Sequence, residues 1–171
     1  MFSLIVIAIT IATLLAFSVV AINYTPRWAP TAQLTHELAA SGFARLDKAF
    51  ELASTAQPSE QPPAPDASAD GGLQAHFRVH YGFLPKAPHG LVWSYGRSAG
   101  AGPFQNMHYF CLSGSAVEEG VARGLERLGR TLGPAQAVLG SGCGAGVAST
   151  PGAYPAQVAL TYYVQFVPEV L

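Results

Sequence analysis

The sequence predicts an α+β fold: an N-terminal transmembrane helix, then a domain in which a small, mostly antiparallel sheet packs on helices, with one disulfide. Three observations carry this. Residues Phe2 to Ile22 (FSLIVIAITIATLLAFSVVAI) form an apolar run without charge, Gly or Pro. Beyond residue 72 the hydrophobic period changes from helical to two. The two cysteines of the chain, Cys111 and Cys143, both lie in this distal part.

A chain of 171 residues allows one domain with appendages. Hydrophobic residues make up 50% and charged residues 11%, the latter about half the ~25% usual in soluble proteins. Much of the imbalance sits in the 21 residues from Phe2 to Ile22. As a helix rising ~1.5 Å per residue, such a run reaches ~31 Å, matching a ~30 Å hydrocarbon core. Residues 1–24 are therefore expected to be a single-pass anchor in contact with membrane lipid. A cleaved signal peptide is the alternative. The run is longer than a usual signal core and no Lys or Arg precedes Arg27. The small-x-small triplet Ala16-Phe17-Ser18 lies inside the run, so an uncleaved anchor is favoured.

Arg27, on the C-terminal side, argues by the positive-inside rule for a cytoplasmic C-terminal part. Two features outweigh it. Long downstream domains translocate largely regardless of charge, and Cys111 and Cys143 form neither a CxxC motif nor a zinc pattern. One disulfide closing a loop is the economical account, with two buried free thiols as the alternative. Disulfides persist in oxidising compartments, which favours the periplasm or the cell exterior for this part.

Tyr24 and Trp28 are placed as an aromatic interface anchor, and Pro26 and Pro30 end or kink the helix there. Residues 25–56 read as an amphipathic helix. Across Thr31 to Thr55, Leu34, Leu38, Leu46, Phe50 and Ala53 recur at helical spacing, with Gly42 weakening the middle. Residues 57–72 (QPSEQPPAPDASADGG) carry too little apolar bulk to offset their ordering entropy and read as a Pro-rich linker or loop.

Residues 73–171 are expected to form the extracytoplasmic α+β domain. Leu73 to Phe83 alternates like a half-buried strand, PKAPHG reads as a turn and Leu91 to Tyr95 as a partner strand. Phe104 to Leu112 reads as a third strand. Ser115 and Glu118 have capping-box spacing, and Val117, Val121, Leu125, Leu128 and Leu132 form the stripe of a helix stopped by Gly133-Pro134. Gly120 and Gly124, one turn apart, would let another element approach. The last strand is Ala156 to Phe166.

No pattern here asks for chemistry. The loop GSGCGAG lacks the lysine and following helix of a phosphate loop. His76 and His80 on a strand would stand ~13 Å apart, too far for one metal. There is no GxSxG, HExxH or catalytic cysteine setting. No enzyme activity, cofactor, metal or small-molecule substrate is expected. The net charge of −1 leaves no footprint for nucleic acid.

The layout of Phe2 to Thr55, Cys111, Cys143 and the closing strand resembles a type IV pilin. Within that group it is most similar to the PilM-type inner-membrane proteins of conjugative thin-pilus systems. The resemblance implies a non-enzymatic structural or assembly component of a pilus apparatus, anchored in inner-membrane lipid and partnered by other assembly proteins or pilins. Ile5 or Val6 stands where a mature pilin carries a glutamate, and no basic leader precedes Phe2, which points to an accessory component rather than a major filament subunit. Ala8, Ala12 and Ala16 give the span a small-residue face on which neighbouring helices can pack. The alternative is a membrane-tethered periplasmic binding module or enzyme unrelated to pili.

Overall fold

The computed structural model describes residues 2–24, 26–56, 64–75, 84–98, 103–144 and 153–164, the side chains of 2, 4, 19–24 and 53–56 excepted. Its elements are α1 (Phe2–Tyr24), α2 (Ala29–Ala56), β1 (Val92–Arg97), β2 (His108–Val117), α3 (Glu119–Leu132), β3 (Ala137–Gly140) and β4 (Ala156–Val164). The fold is α+β. Four strands form an antiparallel sheet in the order β1-β2-β4-β3, with α2 and α3 packed on one face.

Among the described residues no helix is long and apolar enough to cross a membrane. The helical backbone of α1 runs over 23 residues, Phe2–Tyr24. All side chains from Ile5 to Ser18 are exposed, with Phe17 at 74% and Leu14 at 66%.

The break at Pro26-Arg27-Trp28 starts α2, where the Ala29 N–H donates to the Pro26 carbonyl. The buried face of α2 is Ala32, Thr35, Ala39, Phe43, Leu46 and Ala49. This face is rotated from the expected stripe: Leu46 is buried and Phe50 half-buried, but Leu34 is 57% exposed. Small residues win the inward positions because a second helix and an aromatic sheet both crowd α2. Gly42 is one of them. A Cβ there would come within 2.5 Å of Trp93 Cζ2, so the glycine that costs helix propensity also admits the indole.

The helical face of the sheet is aromatic. Phe43 meets Trp93 edge-on with ring centroids 4.9 Å apart and touches Tyr162 at 5.5 Å, while Phe50 meets Phe110 at 6.0 Å. Leu112, Val158 and Leu160, all fully buried, fill the space between. From α3, Val121, Leu125 and Leu128 complete the core. Gly120 and Gly124 do bring α3 close to another element. A Cβ at Gly124 would lie 2.6 Å from the Ala32 carbonyl oxygen, and one at Gly120 would lie 2.8 Å from Thr31 Cβ. Both spacings rise together, so α2 and α3 run parallel.

Several boundaries differ from expectation. Ser115 belongs to β2 and the helix begins only at Glu119, with Glu118 as an N-cap that makes no side-chain cap bond. The capping-box expectation fails because pairing with β4, which resumes at Val117↔Ala156 beyond an irregularity after Gly114, keeps Ser115 in the strand. At the other end Gly133, with φ 80°, stops the helix as expected. β3 has no counterpart among the expected strands; its four residues pair with β4 from Ala137↔Tyr162 to Gly140↔Ala159. Of the strand expected over Leu73 to Phe83, residues 73–75 are helical instead, and the remainder lies outside the described residues.

Candidate functional site

Two features stand out as candidates. The first is α1. Its exposed apolar side chains surround the helix, and its hydroxyls turn back on their own backbone. Thr10 Oγ1 donates to the Val6 carbonyl at 2.9 Å, Thr13 Oγ1 to that of Ile9 at 2.9 Å, and Ser18 Oγ to that of Leu14 at 2.8 Å. The Thr10, Thr13 and Ser18 hydroxyls are thus satisfied inside the helix. Ala8, Ala12 and Ala16 are exposed on one line of it. Of the expected aromatic pair, Tyr24 closes α1 with its side chain outside the described residues, whereas Trp28 is half-buried. The Arg123 guanidinium lies 5.1 Å from the centre of the Trp28 ring and also holds Glu119 at 3.2 Å. Trp28 therefore joins the start of α2 to the first turns of α3, a role that no local signal announces.

The second feature is the sheet face turned away from the helices. The expected disulfide is present: Cys111 and Cys143 are joined, and no free cysteine exists. Register explains its surroundings. Ser94, Cys111 and Thr161 are directly opposite one another on β1, β2 and β4. With alternating side chains all three point to the same face. Ser94 Oγ lies 3.4 Å from Cys143 Sγ, and Thr161 Oγ1 donates to Cys111 Sγ at 3.7 Å. Thr161 Oγ1 in turn accepts the Gly144 N–H at 3.1 Å. The disulfide thus has a hydroxyl beside each sulfur.

Phe104 stacks on Tyr163 at 4.0 Å and covers the face further along β4. Beside the disulfide runs an open groove of about 550 Å³, bordered by Ser94, Arg97, Tyr109, Cys143, Asp66 and Val92 among others. Its outer wall is the second half of the Pro-rich segment. There Asp66, Ser68 and Asp70 form a tight turn: Ser68 Oγ bonds Asp70 Oδ1 at 2.8 Å, and the Gly72 and Gln74 N–H groups bond the Asp70 carboxylate. Burial pushes the Asp70 pKa up, but the bonds from Ser68, Gln74 and Gly72 together outweigh it and hold this carboxyl below its usual range. The Tyr95 N–H donates to the Asp70 carbonyl at 3.0 Å, fastening this turn to the outer edge of β1.

Tyr95 also takes part in a buried pair on the helical face. Its hydroxyl is 2.7 Å from His108 Nδ1, with the rings stacked 5.6 Å apart and Phe50 on the imidazole at 6.0 Å. Burial, reinforced by nearby Arg97, lowers the His108 pKa, and burial raises that of Tyr95. This pair is packed among aromatic rings; Tyr95 also borders the groove, whereas His108 does not.

Among the described residues no group of three His, Cys, Asp or Glu side chains is placed to hold a metal. His89 is exposed on a turn, His36 lies half-buried on α2, and His108 is taken up by Tyr95. His76 and His80 lie outside the described residues. Comparison with protein-family models, curated proteins and solved structures finds no match to this chain.

Proposed function

We propose that the protein is a non-enzymatic, membrane-anchored component of a type IV pilus apparatus of the conjugative thin-pilus kind. It would reside in the bacterial inner membrane with residues 73–171 in the periplasm. The observation that carries the anchor is α1, whose described side chains are mostly apolar and exposed on all sides and whose Thr10, Thr13 and Ser18 hydroxyls are bonded internally. In water such a surface has no compensation; in hydrocarbon it needs none. Support for the pilin-like layout comes from α2, which follows α1 and serves as the spine on which the antiparallel sheet packs, and from the Cys111–Cys143 bond, which suits an oxidising compartment. Partners would be other assembly proteins or pilins, met within the membrane through the Ala8, Ala12 and Ala16 face.

A reporter fused at Leu171 that is active only outside the cytoplasm tests the orientation. Gene deletion with a conjugation or pilus assay tests the role. Replacing Ala8, Ala12 and Ala16 together by Leu should preserve insertion and abolish crosslinking to partners; unchanged assembly and crosslinking would remove the packing mechanism. The groove of about 550 Å³ favours a second reading, a tethered periplasmic binding module. An intact pilus in the deletion strain would leave that one standing.

A further inference from the structure

The two sulfurs of the disulfide are not equivalent. Cys111, on the central strand β2, has no exposed surface, whereas Cys143 is partly exposed and borders the open groove beside Ser94, Tyr109 and Arg97. Thiol–disulfide exchange requires a thiolate to reach one sulfur and depends on how well the other sulfur leaves as a thiolate. We propose that Cys143 Sγ is the site at which the thiolate of a dithiol oxidoreductase attacks this protein, with Cys111 as the leaving sulfur.

Access is the first reason. A nucleophile entering the groove meets Cys143, while Cys111 lies sealed between its neighbours on β1 and β4. Leaving-group stabilisation is the second. The Thr161 hydroxyl already donates to Cys111 Sγ, and its oxygen accepts the Gly144 N–H, which leaves its proton for the sulfur. A thiolate forming at Cys111 therefore finds a charge-assisted donor in place. The groove wall adds the Arg97 cation, and its Asp66 carboxylate is engaged by the Ser68 N–H at 2.8 Å.

The step balances as follows. The incoming thiolate forms a bond to Cys143 Sγ, the Cys111–Cys143 bond breaks, and its electron pair leaves on Cys111, which then takes a proton from solvent. The second thiolate of the oxidoreductase attacks its own mixed-disulfide sulfur and releases Cys143 as a thiolate. Two electrons enter this protein, and the oxidoreductase departs as a disulfide.

Glutathione serves as the probe, with the oxidised full-length chain in detergent micelles. After a short exposure the reaction is quenched with acid, the chain is denatured, free thiols are alkylated, and the peptides are mapped by mass spectrometry. The expected result is glutathione on Cys143 and alkyl label on Cys111, in an excess of at least about tenfold over the reverse pair. The same exposure in denaturant should distribute the adduct over both cysteines. An even distribution in the native protein, a predominance on Cys111, or no native adduct where the denatured chain forms one readily would each overturn the proposal.

Discussion

The two faces of the sheet are buried by different means. The helical face is covered by α2 and α3, which interlock with it through Phe43, Phe50, Leu125 and Leu128. The opposite face is covered near its centre by the short 141–144 loop, held by one covalent bond at Cys143, one hydrogen bond from Gly144 and the Tyr109 ring against Gly144. Yet Cys111, Ala159, Thr161 and Tyr163 on that face are as deeply buried as Leu112 and Leu160 on the other. Equal burial therefore does not mean equal redundancy. Many contacts share the task on one side; among the described residues the other relies on the cross-linked loop and on Phe104 stacked over Tyr163.

The largest expected effect is on the helical face. Leu160→Ala, at a fully buried position beneath α3, should cost ~2–5 kcal/mol in denaturant unfolding. Replacing both Cys111 and Cys143 by Ala should cost ~2–4 kcal/mol. It should also speed amide exchange at Gly144 while leaving α3 protected, because the loss is confined to the loop-covered side. If α3 exchanged equally fast, the two faces would be one cooperative unit and the contrast would fail. Gly124→Ala pushes a methyl toward the Ala32 carbonyl and should lower stability by ~1–3 kcal/mol through overpacking. Gly133→Ala serves as a control with open space but positive φ; a larger loss there than at Gly124 would discount the close approach of the helices.

Mild acid should act on the helical face through His108. His108 is held neutral by burial and by Arg97, so its folded pKa lies below its usual value. Its neutral form therefore favours the fold above pH ~6.5, and that contribution is lost as pH falls from ~6.5 through the lowered folded value. Thermal melts of wild type and His108→Gln across this window should converge as pH falls; parallel curves would mean that the imidazole does not titrate with unfolding. Smallest of all, Val92→Thr on the exposed rim of the groove should change stability by no more than ~0.5 kcal/mol.

Much of this was legible in the sequence, because several segments announce what they bury. The uncharged Phe2–Ile22 run matches α1, the alternation beginning at Ala156 matches β4, LVWSY overlaps β1, and Gly133 ends α3. The Cys111–Cys143 pairing followed from there being only two cysteines. Other positions misled for identifiable reasons. Ser115 carries a genuine capping-box spacing, but β pairing won over it. Leu34 and Leu38 suggested a helical stripe one step away from the face that packs, since size alone does not tell which side a crowded helix turns inward. Ala137–Gly140 is too short to show a period and becomes a strand only because β4 offers an open edge.

By itself, then, the sequence determined the apolar character of α1, the change to a two-residue period, the end of α3 and the identity of the bonded cysteines. All of these depend on composition or on spacing within one segment. Only the tertiary structure decided that Gly120 and Gly124 meet α2, that Trp28 lies under Arg123, and that Cys143 rather than Cys111 faces the groove. Those outcomes depend on strand register and helix packing, which join segments far apart in the chain, and local patterns do not specify which distant surface a buried face will meet.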